Sequence, residues 1–235
     1  MAAIIRGGDD HRNDEIWVTK FDESSAQRFR DKVMAKAKES ANDPIIIYID
    51  SYGGYVDSLA KMIETLDEVP NPIITVCMGK AMSCGAILFS HGDVRFCGRH
   101  SRIMIHEVSG GTIGDVHDMH ADAIETKRLN KHFMGLLARN CKIVGGYDGI
   151  RKIIKQRDGR EIYLNADESV KFGITDIIGL PKMVDMTILE VVVLPEKKRN
   201  NQLKQTKKKQ SIRKIPSGKQ KRIKRENIEC LKKKT

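Results

Sequence analysis

The residues with the clearest chemical potential are one serine, one histidine and a pair of glycines. Ser83 stands in Ala81-Met82-Ser83-Cys84-Gly85, with a small residue two positions to either side. Such spacing lets a chain turn tightly from strand into helix with the hydroxyl exposed, the logic of a nucleophile elbow, here with Ala81 in place of the first glycine. A helix that begins there aims N–H groups and a positive dipole end at any oxyanion forming on an attacked carbonyl. The hydroxyl still needs a base to take its proton. His106 ends the run Ser101–Glu107, just before the glycine-rich Ser109–Gly114, where a strand-end imidazole can reach it. Gly53 and Gly54 close a separate isoleucine-rich run. Paired glycines at a strand end allow close backbone approach to a ligand, and their amides can complete an oxyanion hole. Each feature alone has an ordinary explanation: a crowded turn, a capping histidine, a tight loop. Together the three are far more specific than any one of them.

Strands and helices must bring these positions together. Residues 15–21 read as a short strand, and 24–40 as an amphipathic helix with a serine at its start and Phe29, Val33, Met34 and Ala37 near helical spacing. The continuous apolar runs 43–50 and 71–79 have the composition of buried parallel strands, with a helix over 55–69 between them. Short strands over 94–98 and 101–107 follow. Residues 115–140 then form one long helix with Val116, Met119, Ala123, Leu129, Phe133 and Leu136 on a stripe. A helix near 147–156, the segment 167–174 and an apolar strand over 187–195 complete the body. The alternation predicts an α/β fold with a largely parallel sheet and no internal repeat.

The chain has 235 residues and a formal charge of +11, but the charge is unevenly placed. Residues 196–235 hold 17 Lys/Arg against 3 acids, whereas residues 1–195 hold 25 basic and 28 acidic side chains. This divides the chain into a flexible N-terminus (1–14), a mildly acidic domain (15–195) and a basic tail (196–235) expected to be disordered. Five cysteines, odd in number and without a CxxC pair, read as reduced thiols in a cytoplasmic protein. His117 and His120 form an isolated HxxH without a third metal ligand, so neither a metal nor another cofactor is expected. No run approaches the ~18 apolar residues of a membrane span, and the N-terminus lacks a signal-type apolar stretch.

In order and spacing, "YIDSYGGYVDSLA … GKAMSCGAILFSHG … RFCGRHSRIMIHEVSGGTIGDVHDM" resembles the Clp protease proteolytic subunit family, over about residues 15–182. The compact domain with an added tail is also similar to phage-encoded members of that kind. The resemblance implies a crotonase-like α/β spiral of βαβ units with a long handle helix, here 115–140, and ring-shaped oligomers enclosing a proteolytic chamber. It implies a serine endopeptidase with Ser83 as nucleophile, His106 as general base, and the amides of Gly54 and Cys84 as oxyanion donors. The Cys84 side chain is then packing. Ser109, Gly110 and Gly111 would pair with an extended polypeptide substrate through main-chain hydrogen bonds. The family's acid, an aspartate just before a segment matched by "YLNADESVKFG", aligns with Glu161, which can still hold an imidazole tautomer; Asp158 is the alternative. Tyr52, Glu107 and Val108 also depart from the family pattern. About 14 residues precede the first strand and do not resemble the segment that engages an unfoldase ATPase, so an ATPase partner is carried less far than the rest. The tail suits salt-sensitive binding to nucleic acid or another acidic partner, without aromatics for base stacking. Two other readings stand beside the peptidase: a weak or inactive scaffold subunit, and a crotonase-type acyl-CoA enzyme using paired amides without a nucleophilic serine.

Overall fold

The computed structural model describes residues 15–156, 161–185 and 188–190. The expected boundaries at 14 and 195, and the basic tail, lie outside the described residues. All described residues belong to one unit, Met1–Val192.

Five strands form the parallel backbone of a seven-stranded sheet: β1 (Ile16–Val18), β2 (Ile45–Ser51), β3 (Ile73–Met82), β4 (Val94–Cys97) and β7 (Ile177–Ile178), in spatial order β1-β2-β3-β4-β7. β3 runs past the expected end of its apolar stretch and serves two neighbours. Ile74–Cys77 pair with β4, and Lys80–Met82 pair with β5 (Arg102–Ile105). The hand-over coincides with an irregularity against β2, whose pairing jumps from Ile49↔Cys77 to Ser51↔Ala81. Gly79 sits inside it at φ +103°, where a Cβ would fall 2.8 Å from Asp50 Oδ1. A bulge of this kind re-aims the strand, and Ser83 follows at the C-terminal end of β3.

Helices follow the strands as βαβ logic requires. α1 (Glu23–Glu39) buries Ala26, Phe29 and Val33. Its N-cap is Asp22, whose side chain accepts from Ser25 N–H in a reciprocal capping box, so the cap lies before the serine expected to start the helix. α2 (Val56–Glu68) begins directly after the paired glycines. α3 (Cys84–Ser90) is buried along its whole length, as a helix threaded into the centre of a core must be. It shares the core with Phe21, Ile49, Leu59 and Met134, all nearly solvent-free.

The long helix α4 (Val116–Asn140) spans 25 residues and is capped by Asp115, but its apolar stripe is divided. Phe133, Met134, Leu137 and Ala138 are buried, whereas Val116, Met119 and Ile124 stand in solvent, Val116 at 78% exposure. α5 (Gly146–Gln156) packs back on α4 through Ile150 and Ile154. β6 (Ile162–Leu164), which the sequence pattern does not reveal, pairs antiparallel with β5. α6 (Ala166–Phe172) has an Asn165/Glu168 capping box and ends on left-handed Gly173. Of the strand expected over 187–195 the described residues include Ile188–Glu190, which are β9 and form a two-stranded antiparallel sheet with β8 (Lys182–Asp185); the rest lies outside the described residues.

A buried ion pair fastens the late elements to the early ones. Arg95 on β4 binds Asp176 through Nε and Nη2, each at 2.8 Å, and donates through Nη1 to the Asn140 carbonyl at the end of α4. Burial works against the charge on Arg95, and the Asp176 carboxylate more than offsets it.

Candidate active site

Ser83 is the N-cap of α3 and adopts φ 54°, ψ −119°, a backbone region that residues with a side chain rarely occupy. Its N–H donates to Met104 O of β5 at 2.9 Å, and its carbonyl accepts from Ala86 and Ile87. The strained residue is thus held from both sides by regular structure. Its hydroxyl makes no capping bond to the helix. Instead Ser83 Oγ lies 2.7 Å from His106 Nε2. β5 parallels the end of β3 with Met82 opposite Met104, so Ser83 comes level with Ile105 and His106 is the next residue along.

The paired glycines lie against this turn. A Cβ on Gly53 would fall 2.8 Å from Ser83 Cβ, and one on Gly54 would overlap the Phe21 carbonyl. Both positions have positive φ, so glycine is required on steric and conformational grounds alike. Tyr55 N–H donates to Phe21 O at 2.8 Å and Gly53 N–H to Ser51 Oγ at 3.1 Å, which fix the loop. Neither the Gly54 nor the Cys84 N–H takes part in the turn and loop hydrogen bonds among the described residues. The Cys84 thiol is buried and donates to Gly54 O at 3.2 Å, a role beyond packing: it ties the glycine loop to the start of α3. Burial raises this thiol above its usual range.

Glu161 and the substrate segment are less tied. Glu161 is exposed, and its Oε2 accepts from Tyr163 Oη at 2.8 Å; no hydrogen bond joins it to His106. Asp158 lies outside the described residues. Ser109, Gly110 and Gly111 are exposed and belong to no strand, and a Cβ on either glycine would meet nothing within 4 Å.

Sequence reasoning misses a polar cluster beside His106. Asn130, buried on α4, accepts from Val108 N–H at 3.0 Å and donates to Glu107 Oε1 at 3.1 Å and Tyr147 Oη at 3.3 Å. Arg151 Nε stands 3.3 Å from Glu107 Oε1 as an ion pair. The two residues after His106 are therefore anchored to α4 and α5. The available signal was an asparagine between Leu129 and Phe133 on a face otherwise apolar.

The fold is that of an α/β protein in which a strained serine at a helix start is hydrogen-bonded to a histidine at the end of the neighbouring parallel strand. The chain belongs to the Clp protease family, whose model matches residues 13–182. It is 34% identical over 140 residues to the ATP-dependent Clp protease proteolytic subunit 2 of Chlamydia trachomatis serovar D, and equally to that of serovar A; the match covers 59% of this chain and 66% of each relative.

Proposed function

We propose that this chain is a serine endopeptidase in which Ser83 and His106 carry the chemistry. The observation that carries this reading is the 2.7 Å contact between Ser83 Oγ and His106 Nε2 at a backbone-strained helix start. Ser83 Oγ attacks the peptide carbonyl carbon while His106 Nε2 takes its proton. The carbonyl oxygen becomes an oxyanion held by the Gly54 and Cys84 amides. The tetrahedral species collapses, the C–N bond breaks, and the proton on His106 passes to the leaving amine. Water then attacks the acyl-serine ester with His106 again as base, releasing the carboxylate product. Glu161 supplies the carboxylate for the imidazole, and Ser109, Gly110 and Gly111 offer an unpaired backbone edge for an extended polypeptide.

The assembly is a ring of identical subunits, with rings stacked through α4. Supporting this are the exposed apolar residues on the first half of that helix, which a second copy would cover. The relatives are named as subunits of an ATP-dependent protease; an ATPase that delivers folded substrates belongs to the proposal, while short peptides need none. Binding of polyanions falls to the basic tail. No helix among the described residues is long and apolar enough to cross a membrane, and the proposed location is the cytoplasm.

One observation favours the weaker-scaffold reading: Glu161 is turned to Tyr163. Hydrolysis of a fluorogenic peptide decides between them. The native chain is expected to turn over, with kcat/KM falling at least about a thousandfold in Ser83→Ala. Equal rates in the two proteins would end the peptidase reading.

A further inference from the structure

The β5–β6 ladder runs Ile103↔Leu164, Met104↔Tyr163, Ile105↔Ile162. The pairing ends there, and the next residues out are His106 beyond Ile105 and Glu161 before Ile162. Directly opposed residues of an antiparallel pair share a face, with Cβ atoms ~4.5–5.5 Å apart. Continued by one step, that geometry would set Glu161 across from His106, and Tyr163 lies two residues along from Glu161 on the same face. The glutamate has two acceptors in reach of its backbone position. In this structure its carboxylate lies on the Tyr163 hydroxyl at 2.8 Å.

We propose that Tyr163 is a positioning residue that holds Glu161 off His106, so that its hydroxyl competes with the imidazole N–H for one carboxylate. This rests on the peptidase reading for its functional consequence, though not for the contact itself. Among the described residues, the other charged groups nearby do not take the role. Glu107 adjoins His106 but is turned away to Asn130 and Arg151. Glu168 on α6 is spent on the Asn165 N–H, and Asp167 and Lys171 are exposed on that helix. Arg102 on β5 acts on Tyr163 only at longer range, and the Glu161 hydrogen bond outweighs it, holding the phenol proton more tightly than usual.

The Tyr163–Glu161 bond is made at the surface, where water competes for both groups, so it biases a population and does not lock it. Removing the hydroxyl shifts that population toward His106. Tyr163→Phe is expected to raise kcat by about two- to tenfold with KM little changed, a split that lost packing would not produce. A readout independent of turnover is the His106 Nδ1–H proton resonance of the full-length protein, which moves downfield and exchanges slowly when it donates to a carboxylate. The signal should strengthen in Tyr163→Phe and vanish in Glu161→Ala/Tyr163→Phe. Both side chains are exposed, so both variants keep the fold. A signal that is the same in the native chain and Tyr163→Phe, or a fall in kcat in that variant, overturns the proposal. Absence of peptidase activity in every variant would count against the peptidase reading alone, since the resonance still decides what Tyr163 does.

Discussion

Ser83 is half-buried and stands in a strained backbone region, where a residue with a side chain carries about 1–3 kcal/mol. Ser83→Gly should therefore abolish activity while raising stability by up to about 2 kcal/mol, read as a higher Tm. The reverse holds at Gly54, where an added Cβ would overlap Phe21 O. Gly54→Ala is expected to lower both Tm and kcat, since the loop must move to relieve the overlap and its amide moves with it. The four described cysteines are all buried free thiols, and burial pushes Cys141 up to about 12. In a Cys230→Ser background, alkylation by iodoacetamide at pH 8 should be slow in the native protein and rapid in denaturant; rapid native labelling of Cys84 would show the turn to be open. Ser83, His106 and the glycines were legible because their chemistry leaves a signature in residue type and spacing. The Cys84 thiol bond and the Tyr163 contact were not, because each depends on which way a side chain turns.

At the scale of elements, the long apolar strands and the amphipathic helices were readable from periodicity, since each buries enough side chains to show a pattern. β6 and β7, of 3 and 2 residues, are too short to have a period and exist only because β5 and β4 offer them edges. The α1 cap is Asp22 and not Ser24, because the Asp22 carboxylate pairs reciprocally with Ser25 at N3 in a capping box. The Arg95–Asp176 pair was likewise invisible, its partners being 81 positions apart. It joins β4, β7 and the end of α4, so Asp176→Ala leaves a buried guanidinium uncompensated. That change is expected to cost about 3–5 kcal/mol in urea unfolding, far more than an exposed pair such as Arg128–Glu125. A cost below about 1 kcal/mol would mean that water reaches Arg95.

For the whole molecule, the division of α4 matters most. A periodic stripe along 25 residues is half core and half exposed in the single chain, and periodicity alone cannot tell a core face from a face reserved for another subunit. Val116→Ser/Met119→Ser should leave the fold intact and shift the sedimentation coefficient toward a smaller assembly. An unchanged coefficient would remove α4 from the interface. The account as a whole stands on Ser83 being the residue that attacks. Reaction of the full-length protein with a fluorophosphonate, followed by mass spectrometric location of the adduct, tests this most directly. One adduct is predicted, on Ser83, absent from Ser83→Ala and strongly reduced in His106→Ala. No adduct, or one on another residue that persists in Ser83→Ala, would contradict the account.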